Sequence, residues 1–153
     1  MNNYTVKIDE TSRKLSAIER IAVKDTTHVV QLDEATSDAP LVICPDFWAT
    51  LEVHNEKSEN QDYKKLVIVD KSGTHFITGS ESFTRTFFSI YEEISEAIKN
   101  GEEVGAWAIE CYKMPSKNYK GKEFLTCVIT DATNYDEPKE VTDNAEVEPV
   151  PVD

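Results

Sequence analysis

Five apolar residues, Phe83, Phe87, Ile90, Ile94 and Ile98, recur at steps of 4, 3, 4 and 4. That spacing is one face of an amphipathic helix. Gly79 breaks the pattern before it, and Ser80 or Ser82 can cap its start. Glu81 suits the positive end of the helix dipole, while Lys99 and Gly101 suit the other end. The Phe and Ile stripe reads as a core face rather than a cofactor box, so the rest of the chain must supply a surface for it.

The flanking runs have a period of two. Leu41–Cys44 and Phe47–His54 read as one long strand interrupted at Pro45-Asp46, since a proline inside a strand marks an edge, bulge or bend. Lys64–Asp70 and Thr74–Thr78 flank Lys71-Ser72-Gly73, a hairpin turn with glycine available for positive φ. After the helix, Val104–Tyr112 places Trp107, Ile109 and Cys111 on one face, and Glu123–Thr130 does the same with Leu125, Cys127 and Ile129. The order is strand, strand, strand, helix, strand, strand. It predicts a mainly β chain with α, a five-stranded OB-type Greek-key barrel over residues 41–131 with the helix between strands 3 and 4. Residues 1–40 form an N-terminal extension. It has a short strand at Tyr4–Asp9 and a short helix within Glu10–Val23, capped by Thr11 or Ser12, although residues 21–32 also suit an extended chain.

Charge divides the chain further. The 153 residues carry a net charge of -13, and Asp131–Asp153 holds eight acidic residues and one lysine. That segment has Pro138, Pro149 and Pro151 and little beyond valines to bury, too little to offset its ordering entropy. It predicts a disordered acidic tail over 132–153. An acidic chain is a poor generic candidate for nucleic acid, but more than half of the excess lies in this tail.

Against that background one loop stands out. Between the last two strands lie Lys113, Lys117, Lys120 and Lys122, interleaved with Tyr112, Tyr119 and Phe124 and punctuated by Pro115 and Gly121. Lysines neutralise phosphates, and aromatic rings stack on exposed bases. In an OB-type barrel the loop between strands four and five binds oligonucleotides. Tyr119, at the loop centre, is the stacking candidate. Tyr112 is either a second platform or a barrel-edge packing residue. Asn118 either reaches a base or makes the turn. Tyr63, Lys64 and Lys65 open the hairpin as a second basic-aromatic edge. His75 and Phe76 lie on opposite faces of its second strand, so one of them points to the outer binding surface; Phe76 fits the core equally well. Trp48 and Trp107 read as core.

No catalytic motif is present: no nucleophile elbow, no phosphate-binding glycine loop, no zinc-protease helix. His28, His54 and His75 lack metal-ligand spacing, and Cys44, Cys111 and Cys127 each sit in an apolar run without a C-x-x-C pair. The expectation is a non-enzyme with no metal and no cofactor. No run is long enough to span a membrane, and Met1–Lys7 has no secretory pattern, so a cytoplasmic location is expected.

Three segments carry a resemblance: Leu51–Ser58, Thr78–Phe83 and Pro115–Cys127. They resemble small OB-fold single-stranded-DNA-binding proteins of phages and conjugative plasmids from Gram-positive bacteria, over roughly residues 13–130. The resemblance implies sequence-independent binding of single-stranded DNA in replication, recombination or transfer of a mobile element. It also implies partner proteins from those processes, captured through the tail, and possible homo-oligomers. The end of the chain departs from the pattern of cellular single-stranded-DNA-binding proteins, whose acidic tail ends in a tip with phenylalanine; here the last residues are Val150-Pro151-Val152-Asp153. The alternative is an acidic protein-interaction module or DNA mimic that inhibits a host DNA-binding protein. A basic-aromatic groove favours the first, and a continuous acidic face favours the second.

Overall fold

The computed structural model describes residues 4–59 and 61–134. In chain order the elements are β1 (Tyr4–Thr11), α1 (Ala17–Lys24), β2 (Val30–Gln31), α2 (Leu32–Ala35), β3 (Leu41–Ile43), β4 (Pro45–Asn55), β5 (Asp62–Asp70), β6 (His75–Thr78), α3 (Glu81–Lys99), β7 (Trp107–Pro115) and β8 (Glu123–Asp131), followed by a 3-10 turn at Ala132–Asn134. The protein is mainly β with helix. From residue 135 onward the expected acidic tail lies outside the described residues.

The strands form two sheets, β1-β4-β5-β6-β2 and β3-β7-β8. The closed five-stranded barrel expected from the strand order is therefore corrected. No ladder joins β6 to β8 among the described residues, because the free edge of β6 is taken by β2, with Val30 opposite Phe76 and Gln31 opposite Ile77 in parallel. The long interrupted strand is present as β3 and β4, and it carries the chain from one sheet to the other. Only Cys44 separates the two pieces. Its carbonyl accepts from Lys71 N at 2.9 Å, and the β4–β5 register shifts between Pro45 and Phe47.

Two cores result. The first lies under α3 and gathers Leu66, Ile68, Phe76, Phe83, Phe87, Ile109, Cys111, Leu125 and Cys127. The second, on the other face of β4–β6, gathers Phe47, Ala49, Leu51, Val67, Val69 and Ile77. Leu15 and Val23 cover that second face, with Val6 and Ile8 against it. β1 pairs along β4 from Tyr4–Asn55 to Thr11–Ala49. The uninterrupted apolar run Leu66-Val67-Ile68-Val69 is thus buried on both sides, as such a run requires. The N-terminal residues provide one of the two covers.

The start of the first helix differs from the sequence expectation, and β7 runs three residues later than expected, over Trp107–Pro115. β1 runs on to Thr11, and the first helix begins only at Ala17. Its cap is Ser16, whose hydroxyl accepts from Glu19 N at 3.1 Å while the Glu19 carboxylate accepts from Ser16 N at 2.8 Å. This reciprocal box outcompetes Thr11 and Ser12 as the start. Ser12 is used elsewhere: its hydroxyl accepts from Trp48 N at 3.0 Å.

The long helix starts at Ser80, whose hydroxyl accepts from Phe83 N at 3.2 Å. Ser82, the other candidate cap, instead donates to Leu125 O at 3.2 Å and ties the helix to β8. Phe83 and Phe87 are fully buried, but Ile98 is exposed, because α3 runs on past the sheet it covers. Trp48 and Trp107 are half-buried around the helix. Trp48 lies 4.6 Å from Phe88, and Tyr91 bridges it to Trp107. All three cysteines are buried and free. Burial pushes the Cys127 thiol up to about 12, so it stays protonated and unreactive. No helix among the described residues is long and apolar enough to cross a membrane.

Candidate nucleic-acid interface

The basic loop is an ordered cap on the β7–β8 hairpin. Ser116 N donates to Lys122 O at 2.9 Å, which extends the ladder by one step beyond Pro115–Glu123. Lys122 N donates to Tyr119 O, and the Ser116 hydroxyl accepts from Asn118 N and Tyr119 N. Gly121 takes φ +80, the left-handed region that a glycine enters without strain. Serine and glycine therefore hold the loop in one shape, and Tyr119 is left 69% exposed.

The strands present the loop's neighbours by parity. Met114 pairs with Phe124, Tyr112 with Thr126 and Lys113 with Leu125. Side chains two apart share a face. Tyr112, Met114 and Phe124 therefore share one face of the hairpin, and Lys113 shares the other with Cys111 and Leu125. Tyr112 and Lys113 are both half-buried. Met114 and Phe124 are 39% and 37% exposed.

A cleft of about 750 Å³ opens between this hairpin and the first turn of α3. Lys117, Asn118, Tyr119 and Lys122 line it from the loop, Met114 and Phe124 from the strands, and Ser82 and Arg85 from the helix. Glu123 is its one carboxylate among the described residues. Among the described residues no ion pair engages Arg85, Lys117, Lys120 or Lys122. Lys120 is exposed at the loop tip, outside the cleft wall.

The second basic-aromatic edge lies on a separate cleft of about 780 Å³, lined by Tyr63, Lys64 and Lys65 together with Thr84, Arg85 and Phe88. Lys65 Nζ stands 5.6 Å over the Tyr63 ring, and a Cβ added at Gly79 would meet that ammonium at 3.2 Å. Lys64 pairs with Asp9 at 3.5 Å. Phe76 is corrected: it is 3% exposed in the core under α3. The opposite face of β6 carries Ile77, which the N-terminal segment covers, so neither face of this strand presents an aromatic ring to solvent. His75 is half-buried, and burial holds its imidazole below its ordinary value.

Arg85 escaped the sequence reading, and Ser82 entered it only as a candidate cap. Both fall off the apolar stripe of the helix, three residues apart, and so share a face. Nothing in the linear order connects them with a loop thirty residues later. Among the described residues no cluster of three or more histidine, cysteine or carboxylate side chains is placed to hold a metal. No protein-family model, curated protein or solved structure matches the chain.

Proposed function

We propose that this protein binds single-stranded DNA without sequence preference through the cleft between the β7–β8 hairpin and α3. One observation carries the reading: Arg85, Lys117 and Lys122, none of them engaged by a carboxylate among the described residues, surround the exposed Met114, Phe124 and Tyr119. Cations track a phosphate backbone, and exposed rings give unpaired bases a stacking surface. Duplex DNA offers no such faces.

The order of the neighbouring strands, β6-β5-β4 continuing through β3 to β7-β8, with α3 between β6 and β7, supports an OB-type reading of the body. Under this reading the protein serves replication, recombination or transfer of a mobile element as a cytoplasmic, non-enzymatic binder. The test is fluorescence anisotropy with a labelled 60-mer of roughly mixed composition, single-stranded against double-stranded, at two salt concentrations. Tight binding of the single strand that weakens with salt supports the proposal. A folded protein that binds neither at low salt refutes it.

A second reading rests on the far end of α3. Glu92, Glu93, Glu96, Glu102 and Glu103 are all exposed there, an acidic surface beyond the helix turn that lines the cationic cleft. That surface suits a basic partner protein, as an interaction module or DNA mimic would need. Binding of a basic host protein, competed by DNA, is its signature.

A further inference from the structure

The two clefts share one residue. Arg85, exposed on the first turns of α3, lines both the cleft under the basic loop and the cleft beside β5. We propose that they form one track for a single nucleic-acid strand, with Arg85 holding the phosphate at the junction and Lys65 receiving the strand beyond it. This rests on the single-strand reading above and adds a second subsite to it.

The second cleft holds four carboxylates, Asp9, Glu10, Asp62 and Glu81, which would oppose a polyanion. Two of them are already matched. Asp9 pairs with Lys64 at 3.5 Å, and Asp62 accepts from the His54 ring at 2.7 Å. Lys65 and Arg85 have no carboxylate partner among the described residues. Gly79 leaves the space into which the Lys65 ammonium extends. The Tyr63 ring lies beneath Lys65, and Phe88 lines the cleft from the helix. Each cleft thus holds a cation without a carboxylate partner together with a ring, and among the described residues Arg85 is the one cation common to both.

A two-part track makes affinity depend on strand length. The experiment measures binding of oligo-dT of about 6 and about 16 nucleotides, spanning the usual footprint of one such unit, to the full chain and to Lys65→Gln, Arg85→Gln and Lys117→Gln variants. The expected result is that Lys65→Gln weakens the long oligonucleotide severalfold and leaves the short one unchanged. Arg85→Gln should weaken both, the long one by about tenfold or more, as loss of a charged hydrogen bond does. Lys117→Gln should weaken both. If Lys65→Gln changes neither length while Lys117→Gln weakens both, the track is refuted and the single-strand reading stands. If the unaltered chain binds neither length, the single-strand reading itself fails. All three side chains lie outside the cores, and matching thermal unfolding of the variants verifies that the comparison is between folded proteins.

Discussion

Met114 lies directly across the β7–β8 ladder from Phe124, and both side chains are more than a third exposed on one wall of a cationic cleft. Cross-strand apolar pairs normally turn such surface inward. Here the pair stands beyond the last buried rung, Cys111–Cys127, where the hairpin projects from the first core.

Replacing Phe124 with alanine should therefore cost binding and little stability. Loss of a stacking ring lowers affinity by about 1–3 kcal/mol per base. Because no charge is removed, the dependence of affinity on salt should keep its slope. Anisotropy titrations at several salt concentrations read both quantities, and a changed slope with unchanged affinity would contradict the stacking role.

Lys117→Ala with Lys120→Ala should do the reverse. Each lost phosphate contact lowers the slope of log affinity against log salt by about 0.7 for a single strand. The double variant should bind more weakly at low salt and converge on the parent at high salt. A double variant that binds as the parent does at every salt concentration removes this loop from the interface.

Phe76→Ala separates core from site. Phe76 is buried with Leu66, Ile68, Phe83 and Phe87, and its truncation should destabilise the fold by about 3–5 kcal/mol. Urea denaturation measures the loss. Affinity measured on the folded fraction should stay that of the parent; a selective loss of binding in a protein of unchanged stability would return Phe76 to the interface.

His54 couples the β4–β5 connection to pH. Its ring bonds Asp62 at 2.7 Å and Glu56 at 3.4 Å, and these two hydrogen bonds, Asp62 first, raise its pKa above the usual 6.5. A raised folded pKa means that the native state binds the proton more tightly than the unfolded chain. The stabilisation is fully present below about pH 6.5 and is lost as pH rises through the folded value. Urea midpoints at about pH 5.5 and about pH 8.5 should differ more for the parent than for His54→Gln. Equal differences would show that the cluster adds nothing.

At the acid end, Glu19 is held at about 2 by its hydrogen bond from Arg13 and then by that from Ser16 N. A depressed carboxylate stabilises the fold above its unfolded value, and that contribution is lost as pH falls towards about 2. Arg13→Gln should release the Glu19 carboxyl to titrate at higher pH, visible in a proton-NMR titration of its side chain. An unmoved titration would show that Arg13 does not hold it.

Much of this protein follows from local patterning. The 4-3-4-4 spacing from Phe83 to Ile98 specifies α3, because only a helical period puts those residues on one face. Alternation specifies β5, β6 and β8 within a residue or two at each end and β7 with a shift of three residues at both ends, and Pro45 marks the bend between β3 and β4. Lys71-Ser72-Gly73 and Gly121 mark turns that the chain makes, both glycines at positive φ. The composition of the loop at 112–124 shows that cations and rings are gathered there, since that depends on neighbours in sequence alone.

Long-range pairing decided the rest. β2 is two residues long and carries no periodic signal, yet by taking the free edge of β6 it leaves two sheets where the strand order suggested a closed barrel. The cover of Val67, Val69 and Ile77 by Leu15 and Val23 joins residues more than forty positions apart, and no window of sequence contains both partners. The same is true of Phe76, whose alternation fits either face and whose burial depends on what lies opposite. Arg85 is an unremarkable exposed residue of a helix until folding sets it between Lys65 and Lys117. Periodicity assigns a side chain to a face; only the packed structure assigns the face to core, cover or cleft.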